Sequence, residues 1–306
     1  MKKTILLLAI LFGFLTTSNA QGLKKIIRVE TNTSKYRNDN EVPETREYNF
    51  KNSKLLSVTD SNYITKYIYN DKGLVFQIVK TYTKNADSDD SVQEYEYNSE
   101  GYLIKSIYYS AKNGIKNDRG DTETNYEYNF KNENEYTITG KNVCGNGSKT
   151  TCIEENYSMK NNILTATKIV GSIKTVSVFT FKDGNIIAAN INKNTRENHT
   201  VAFTYDNSPN LNEAIYKNLF GDKYFYNVIC YNRVLQTENA PKLSKNILKS
   251  STMEKPSKSM VGFITDDVTI EYNANKLPAK TINNQIVNEG TEKSPRFRIE
   301  ETYFYE

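Results

Sequence analysis

The sequence is poor in the residues that most metal and catalytic sites use. Its 306 residues include no Trp, one His (His199) and three Cys. A tetrahedral zinc site needs several His or Cys ligands, so zinc chemistry is not expected. No GxSxG, HExxH, Walker-type or GxGxxG pattern stands in a suitable context. These absences argue against the commonest hydrolytic and redox mechanisms. No catalytic residue and no cofactor is predicted, and the chain is not expected to be an enzyme.

A dominant charge of one sign is lacking as well. Lys and Arg number 40 against 36 Asp and Glu, which gives a formal net charge of +4. Lysines do not accumulate anywhere without neighbouring acidic residues. The sequence therefore gives no electrostatic reason to expect nucleic acid as a partner.

The one long apolar run stands at the N-terminus. Lys2 and Lys3 precede an apolar stretch from Ile5 to Leu15, and Ser18-Asn19-Ala20 ends in small residues. This is the pattern of a cleaved signal peptide, and the stretch is too short for a comfortable membrane span. We predict a signal peptide at 1–20 and one exported domain at 21–306. It would be periplasmic, at the cell surface or extracellular.

The three cysteines divide into a pair and a single residue. Cys144 and Cys152 bracket a Gly- and Asn-containing segment, and in an oxidising compartment they are predicted to form a local disulfide. Cys230 lies in an apolar run and is interpreted as a buried small hydrophobic residue. A nucleophilic role would need a His partner, and His199 stands in a polar strand-edge context.

Aromatic residues are abundant, with 23 Tyr and 13 Phe, and they follow a pattern. Nine aromatic-x-aromatic triplets or close variants precede turn-like segments. Their aromatic members are Tyr48, Phe50, Tyr67, Tyr69, Tyr95, Tyr97, Tyr126, Tyr128, Tyr157, Phe179, Phe181, Phe203, Tyr205, Tyr272, Tyr303 and Tyr305. In a strand, residues i and i+2 share a face, so each triplet places two large side chains on one side. The middle residues are mostly polar, which predicts one buried and one wet face.

The segments after the triplets have the chemistry of hairpin turns. Asn70 is followed by Gly73 and Asn98 by Gly101, which places Asn early and Gly late. Glycine readily adopts the positive φ that tight hairpins need, and Asn is the next best residue. The pattern predicts an all-β fold, a large antiparallel meander of about 16–18 strands.

One interval breaks the pattern, because no triplet occurs between Tyr205 and Tyr272. We predict an irregular excursion at 207–267 with one short helix near 207–221, capped by Asn210 and ended by Gly221. The apolar segment 224–235 is predicted to be a strand, and 245–251 could form another. A round barrel of so many strands has a lumen too wide for side chains to fill. The excursion is therefore expected to pack into or across the concave side of the sheet.

Two sets of acidic residues were weighed as chemical sites. Asp87, Asp89 and Asp90 form a loop that is a weak Ca²⁺ candidate, with a solvated loop as the alternative. Glu154-Glu155 and Glu300-Glu301 are carboxylates on strands. Paired carboxylates can hydrolyse glycosides across a cleft, which keeps a glycosidase open as an alternative function.

The triplet-and-turn unit resembles the tyrosine-aspartate (YD) repeats of RHS-type secreted proteins. The whole chain resembles a group of secreted Bacteroidota domains of unknown function described as having a porin-like β fold. The segments that carry this resemblance are Tyr205-Asp206-Asn207-Ser208-Pro209-Asn210 and Ser244-Lys245-Asn246. The resemblance implies a sheet that is curved or closed into a porin-like barrel. It transfers no catalytic residue.

The resulting prediction is a secreted β-repeat protein that serves as a binding or structural module, with its tyrosines stacking on a glycan or peptide. An outer-membrane β-barrel is the alternative, since aromatics beside short turns also resemble an interfacial girdle. Membrane insertion is predicted to be unfavourable because Thr122 and Thr124 precede Tyr126, and Thr175 and Ser177 precede Phe179. A lipid-facing band needs more apolar residues than this.

Overall fold

The computed structural model describes residues 22–34, 42–84, 88–117, 121–144, 151–195, 198–230, 235, 240–255, 263–289 and 292–306. The strands are β1 (Leu23–Asn32), β2 (Glu44–Lys51), β3 (Lys54–Thr59), β4 (Tyr63–Tyr69), β5 (Val75–Tyr82), β6 (Asp90–Tyr97), β7 (Leu103–Lys112), β8 (Ile115–Lys116), β9 (Thr122–Asn132), β10 (Glu135–Cys144), β11 (Thr151–Lys160), β12 (Ile163–Val170), β13 (Ile173–Lys182), β14 (Asn185–Ile191), β15 (His199–Pro209), β16 (Asn246–Lys255), β17 (Phe263–Tyr272), β18 (Pro278–Glu289) and β19 (Glu292–Tyr305).

These strands close into one antiparallel barrel. Each long strand pairs with its neighbours in the chain, and β7 pairs with β9 past the two-residue β8. The circle closes where β1 pairs with both β2 and β19, from Leu23 opposite Tyr305 to Asn32 opposite Phe297. Eighteen strands therefore form the wall once the short β8 is set aside. The predicted antiparallel meander is confirmed, and its closure removes the exposed edges that an open sheet would leave.

The Asn-containing turns that follow the aromatic triplets lie together at one end of the barrel, which we call the tight-turn end, and they use the predicted chemistry. The Asn70 Oδ1 atom accepts hydrogen bonds from the backbone N–H groups of Lys72 and Leu74, both at 3.0 Å. Asn98 repeats this arrangement, and the late glycines, Gly73 and Gly101, have φ values of 76° and 88°. An Asn side-chain oxygen at the same position thus stabilises both of these turns.

A β-bulge follows these turns, and a tyrosine of the next hairpin satisfies the carbonyl at its start. The register shifts where Tyr69 faces β5, and the Val75 carbonyl accepts a hydrogen bond from the Tyr97 hydroxyl at 2.6 Å. We call this hydrogen bond from a tyrosine hydroxyl to a bulge carbonyl a tyrosine tie. It occurs at 2.6–2.8 Å in four other places, namely Tyr69 to Leu55, Tyr128 to Leu103, Tyr205 to Ile186 and Tyr305 to Pro278. A bulge disrupts the ladder locally, so these hydroxyls pair carbonyls at the disrupted positions.

The excursion contains two helices rather than a helix and a strand. Helix α1 (Leu211–Phe220) begins after Asn210, whose side chain accepts from the Asn212 N–H, and Gly221 follows its last residue. These bounds confirm the predicted short helix. The prediction of a strand at 224–235 is wrong, because α2 (Tyr224–Cys230) is helical. A short apolar run does not distinguish a buried helix from a buried strand by periodicity.

The hydrophobic core lies inside the barrel, between the aromatic side of the wall and the excursion. Phe179 of the wall and Phe220 of α1 are both fully buried, and Tyr95 contacts Phe220 edge to face with ring centroids 6.1 Å apart. The excursion therefore fills part of the lumen, on the concave side, at the tight-turn end.

The tyrosine ties predict a measurable stability difference. Tyr97→Phe removes only the hydroxyl that pairs the Val75 carbonyl, and leaving such an acceptor without its partner costs about 1–3 kcal/mol. The control is Tyr108→Phe, whose hydroxyl contacts Ser91 Oγ on a side chain that is 46% exposed. Denaturant titration should show a clear loss for Tyr97→Phe and a change within about 0.5 kcal/mol for the control. Equal losses would contradict the assigned role of the tie.

Candidate functional site

The part of the lumen that the excursion does not fill is a chamber of about 1090 Å³. Its wall consists of inward-facing residues of β15 to β19, β1 and β2. Its floor is formed by α1 and the 3-10 turn Ala240–Leu243, through residues such as Leu211, Ile215 and Pro241. The chamber extends from this floor toward the end of the barrel opposite the tight-turn end, where Asn32 and Arg296 line it.

The floor is held in place by buried amide groups. The Asn210 side chain caps α1 with its oxygen and donates from Nδ2 to the carbonyls of Pro241 at 3.1 Å and Ser244 at 2.8 Å. Asn227 of α2 is fully buried, accepts from the Leu103 N–H at 2.8 Å and donates to the Gly101 carbonyl at 2.9 Å. The Asn210 bonds hold the excursion together, and the Asn227 bonds attach it to the wall. The two helices α1 and α2 with the Ala240–Leu243 turn, which we call the plug, are therefore a fixed part of the barrel.

One side of the chamber carries an ion-pair group on β1 and β19. Arg28 bonds the Glu30 carboxylate at 3.1 Å, and its Nη1 lies 3.7 Å from Glu301. Glu301 also accepts from the Tyr303 hydroxyl at 2.7 Å. The Arg28 Nε atom is buried and has no hydrogen-bond partner. The Arg28 side chain therefore lines the chamber as part of an ion-pair group, with its Nε atom enclosed by the wall.

The other side carries an acidic group centred on Asp266 of β17. Its carboxylate accepts from Ser251 Oγ at 2.7 Å, Asn283 Nδ2 at 2.8 Å and Gln285 Nε2 at 3.1 Å. All three donors are neutral, and within the described ranges no Lys or Arg forms an ion pair with this carboxylate. The Asn283 Oδ1 atom is buried without a partner.

Of these chamber residues, Glu301 was named from the sequence as a strand carboxylate and Tyr303 as a repeat aromatic, whereas Arg28, Glu30 and Asp266 were not singled out. A usable signal was present, since Arg28 lies two residues after Ile26 and Glu301 two residues before Tyr303. Both therefore share the inward side with buried apolar residues. Charged residues at inward positions of a barrel indicate a polar lumen.

Most of the predicted repeat aromatics lie on the inner side, as expected. The buried members are Phe50, Tyr95, Tyr126, Tyr157, Phe179, Phe203 and Tyr303, and those half-buried against the same core are Tyr48, Tyr67, Tyr69, Tyr97, Tyr128, Phe181, Tyr205 and Tyr305. Tyr272 differs, being 43% exposed with its hydroxyl near Asp206 and Ser208. The aromatics are thus mainly wall packing.

Cys230 lies in the plug, at the end of α2, rather than in a strand. Burial raises the pKa of its thiol to about 12, so the thiol is protonated at neutral pH. The Tyr126 hydroxyl donates to the Cys230 carbonyl at 3.0 Å. The interpretation as a buried hydrophobic residue fits this placement. The side chain of Cys144 lies outside what the structure describes, so the Cys144–Cys152 disulfide stays a prediction.

The acidic candidates do not come together. Asp87 lies outside the described residues, Asp89 accepts a hydrogen bond from Asn117 at 2.7 Å, and Asp90 begins β6. The part of the chain that the structure describes contains no group of three or more His, Cys, Asp or Glu suited to a metal ion.

The paired glutamates separate across the wall. Glu155 accepts from the inward Tyr157 hydroxyl, and adjacent strand residues face opposite sides, so Glu154 faces outward. Glu300 likewise bonds outward Lys280 and Arg298, whereas Glu301 lies in the chamber. The glycosidase alternative gains no support from these positions.

Comparison with solved structures finds porins and a porin-like protein. A porin-like protein from Bacteroides uniformis matches with 15% identity and a TM-score of 0.45, covering 93% of this chain and 96% of that one. A mutant porin of Rh. blastica matches with 8% identity and a TM-score of 0.41, covering 92% and 99%. No family model and no curated protein matches, so the YD-repeat assignment has no support beyond the motif itself.

Two functional expectations are corrected. The expectation of a module of separate hairpin repeats is wrong, because the hairpins are consecutive strands of one closed barrel. The prediction that membrane insertion is unfavourable is also wrong, because the polar residues on which it rested face the lumen. Thr122 and Thr124 share the inward side with Tyr126, and Thr175 and Ser177 share it with Phe179. Their polarity concerns the lumen and gives no information about a lipid-facing surface.

The outer wall is mixed in character. Near the tight turns, large apolar side chains point outward from β3, β4, β5 and β7, and we call this group the outer belt. Its members are Leu56, Ile68, Phe76 and Ile104, each 36–40% exposed. Along the wall from this belt, Lys105 pairs with Glu96 at 3.8 Å and Glu123 at 3.1 Å. No described helix is long and apolar enough to cross a bilayer.

Proposed function

We propose that this chain is a porin-like envelope barrel, seated in the outer membrane at its tight-turn end, that admits small polar solutes to its lumen. The observation that carries the proposal is the chamber, a cavity of about 1090 Å³ inside a closed wall, with charged and amide side chains among apolar ones in its lining. Apolar solutes would displace water from the charged and amide groups of Arg28, Asp266 and Asn283, at a desolvation cost. The chamber therefore favours hydrophilic solutes.

The plug determines whether such a barrel is open at both ends. Helices α1 and α2 fill the lumen at the tight-turn end, and buried Asn210 and Asn227 fix them there. A lumen blocked in this way gives a receptacle with one accessible mouth rather than an open pore. The proposal is thus a solute-holding barrel of the envelope.

The outer belt is the proposed membrane contact. Four large apolar side chains stand close together where β3, β4, β5 and β7 meet the tight turns. Each is already largely covered by the wall, so burying its remaining exposed part in lipid contributes about 0.5–1.2 kcal/mol. Ion pairs such as Lys105–Glu123 lie farther along the wall and limit the lipid contact to this belt.

Membrane binding of the belt is measured by liposome flotation. The wild-type chain should float with the liposomes, and the double variant Phe76→Ser with Ile104→Ser should lose most of that binding. The matched control is Ile115→Ser, which removes a 73% exposed apolar side chain at the opposite end of the barrel. A wild-type chain that stays at the bottom of the gradient would overturn the membrane part of the proposal, and equal losses in both variants would show that the belt is not the contact.

Export and oxidation complete the proposal. Residues 1–20 would be removed on export as a signal peptide, leaving 21–306 as the mature domain. Cys144 and Cys152 would pair across β10 and β11, whose register brings Val143 opposite Thr151. Intact mass of the purified mature protein tests both points. We expect an N-terminus at Gln21 and a mass lowered by two hydrogens relative to the reduced chain. An uncleaved N-terminus, or a gain of two labels with a thiol reagent in the folded state, would contradict them.

A further inference from the structure

We infer that the chamber binds a small organic ammonium ion, with its charged group at the Asp266 carboxylate and its apolar part on the aliphatic side chains around that residue. This inference rests on the proposed solute chamber and specifies its ligand chemistry. It starts from a carboxylate in the chamber wall that three neutral side chains hold in place.

The Asp266 carboxylate keeps one position for a further donor. Its Oδ1 accepts from Asn283 at 2.8 Å and Gln285 at 3.1 Å, and its Oδ2 accepts from Ser251 Oγ at 2.7 Å. An ionised carboxylate has about four acceptor positions, so one remains on Oδ2. Asp266 is half-buried and lines the chamber. Because the three bonds already fix its orientation, a ligand N–H group does not have to order the carboxylate on binding.

The charge of this carboxylate is not compensated by an ion pair. Within the described residues, no Lys or Arg pairs with Asp266. The other acidic residues of the chamber, Glu30 and Glu301, share the single cation Arg28, so that group is net negative too. The two other cations in the lining lie at the ends of the chamber, Lys242 in the floor and Arg296 toward the mouth. The wall between them therefore favours a cation over an anion.

Aliphatic side chains surround the carboxylate. Ile264 and Val268 lie two residues to either side of Asp266 on β17, so they share its inward face. Met253 lies beside them on β16, two residues after Ser251, and all three aliphatic residues line the chamber. An inorganic cation would leave these side chains in contact with water, whereas an alkyl group on the ammonium ion would cover them. The surroundings of Asp266 thus select an amine with an apolar body.

Isothermal titration calorimetry with the purified full-length mature chain tests the inference. The probe is hexylamine, and the matched compounds are hexanol without the charge, hexanoate with the opposite charge and methylamine without the alkyl chain. We expect saturable binding of hexylamine, and binding at least about tenfold weaker for each of the other three. Absence of hexylamine binding, or equal binding of hexanol or hexanoate, would overturn the inference. Equal binding of methylamine would overturn the role of the apolar body.

Variants assign the site to Asp266. Asp266→Asn should weaken hexylamine binding by at least about tenfold. The matched control Asp267→Asn removes the same charge from the adjacent outward position and should leave binding unchanged. Val268→Thr keeps the charge and the side-chain shape, and it should weaken hexylamine by at least about threefold even if Asp266→Asn fails to fold. Equal effects of the inward and outward Asp variants, or unchanged binding by Val268→Thr, would contradict the assignment.

Access to the chamber is measured separately, so that the two proposals can fail independently. Val287→Cys places a thiol in the chamber lining, and a small water-soluble methanethiosulfonate reagent should label it above the background of the wild-type chain. Labelling without hexylamine binding would overturn the ammonium site and leave the solute chamber standing. Absence of labelling would overturn the solute chamber and the ammonium site together.

Discussion

The barrel depends on the hydrogen bond between a tyrosine hydroxyl of one hairpin and a bulge carbonyl of the hairpin before it. A two-stranded hairpin alone is marginally stable in water, so each unit needs its neighbour. The bulge that follows a tight turn bends the strand and disturbs the ladder, and the Tyr97–Val75 bond shows how the next unit repairs it. The second aromatic of a triplet is therefore Tyr where such a tie exists. Where Phe181 or Met159 takes that position, no hydroxyl is available for the tie.

The wide circumference of the barrel follows from its number of strands. Eighteen strands enclose more space than wall side chains can fill, and the chain fills it in two ways. On one side α1, α2 and the aromatic residues form a dry core around Phe220. On the other side a chamber stays open, and its lining mixes polar residues such as Arg28 and Asp266 with apolar residues such as Phe203. The division between plug and chamber thus follows from barrel size.

Local patterns predicted the parts of the fold that depend on local interactions. The Asn70 and Asn98 turns, the inward triplets and the cap of α1 at Asn210 each depend on residues close in sequence. Closure of β1 on β19 joins residues almost a full chain apart, and no short motif specifies it. The strand predicted at 224–235 failed because tertiary burial determines the state of a short apolar run. The chamber was not predicted, because its charged residues could be recognised as lumen residues only once the inward side of each strand was known.

Closure of the wall is tested most directly at the seam between the first and last strands. Ile27 and Thr302 are opposite partners there, on the outward side. Oxidation of the double variant Ile27→Cys with Thr302→Cys should give a monomeric intramolecular disulfide in nearly all molecules, whereas pairing Ile27→Cys with Thr204→Cys should give none. Failure of the seam pair to cross-link, or cross-linking only between chains, would contradict a closed barrel and the chamber inside it.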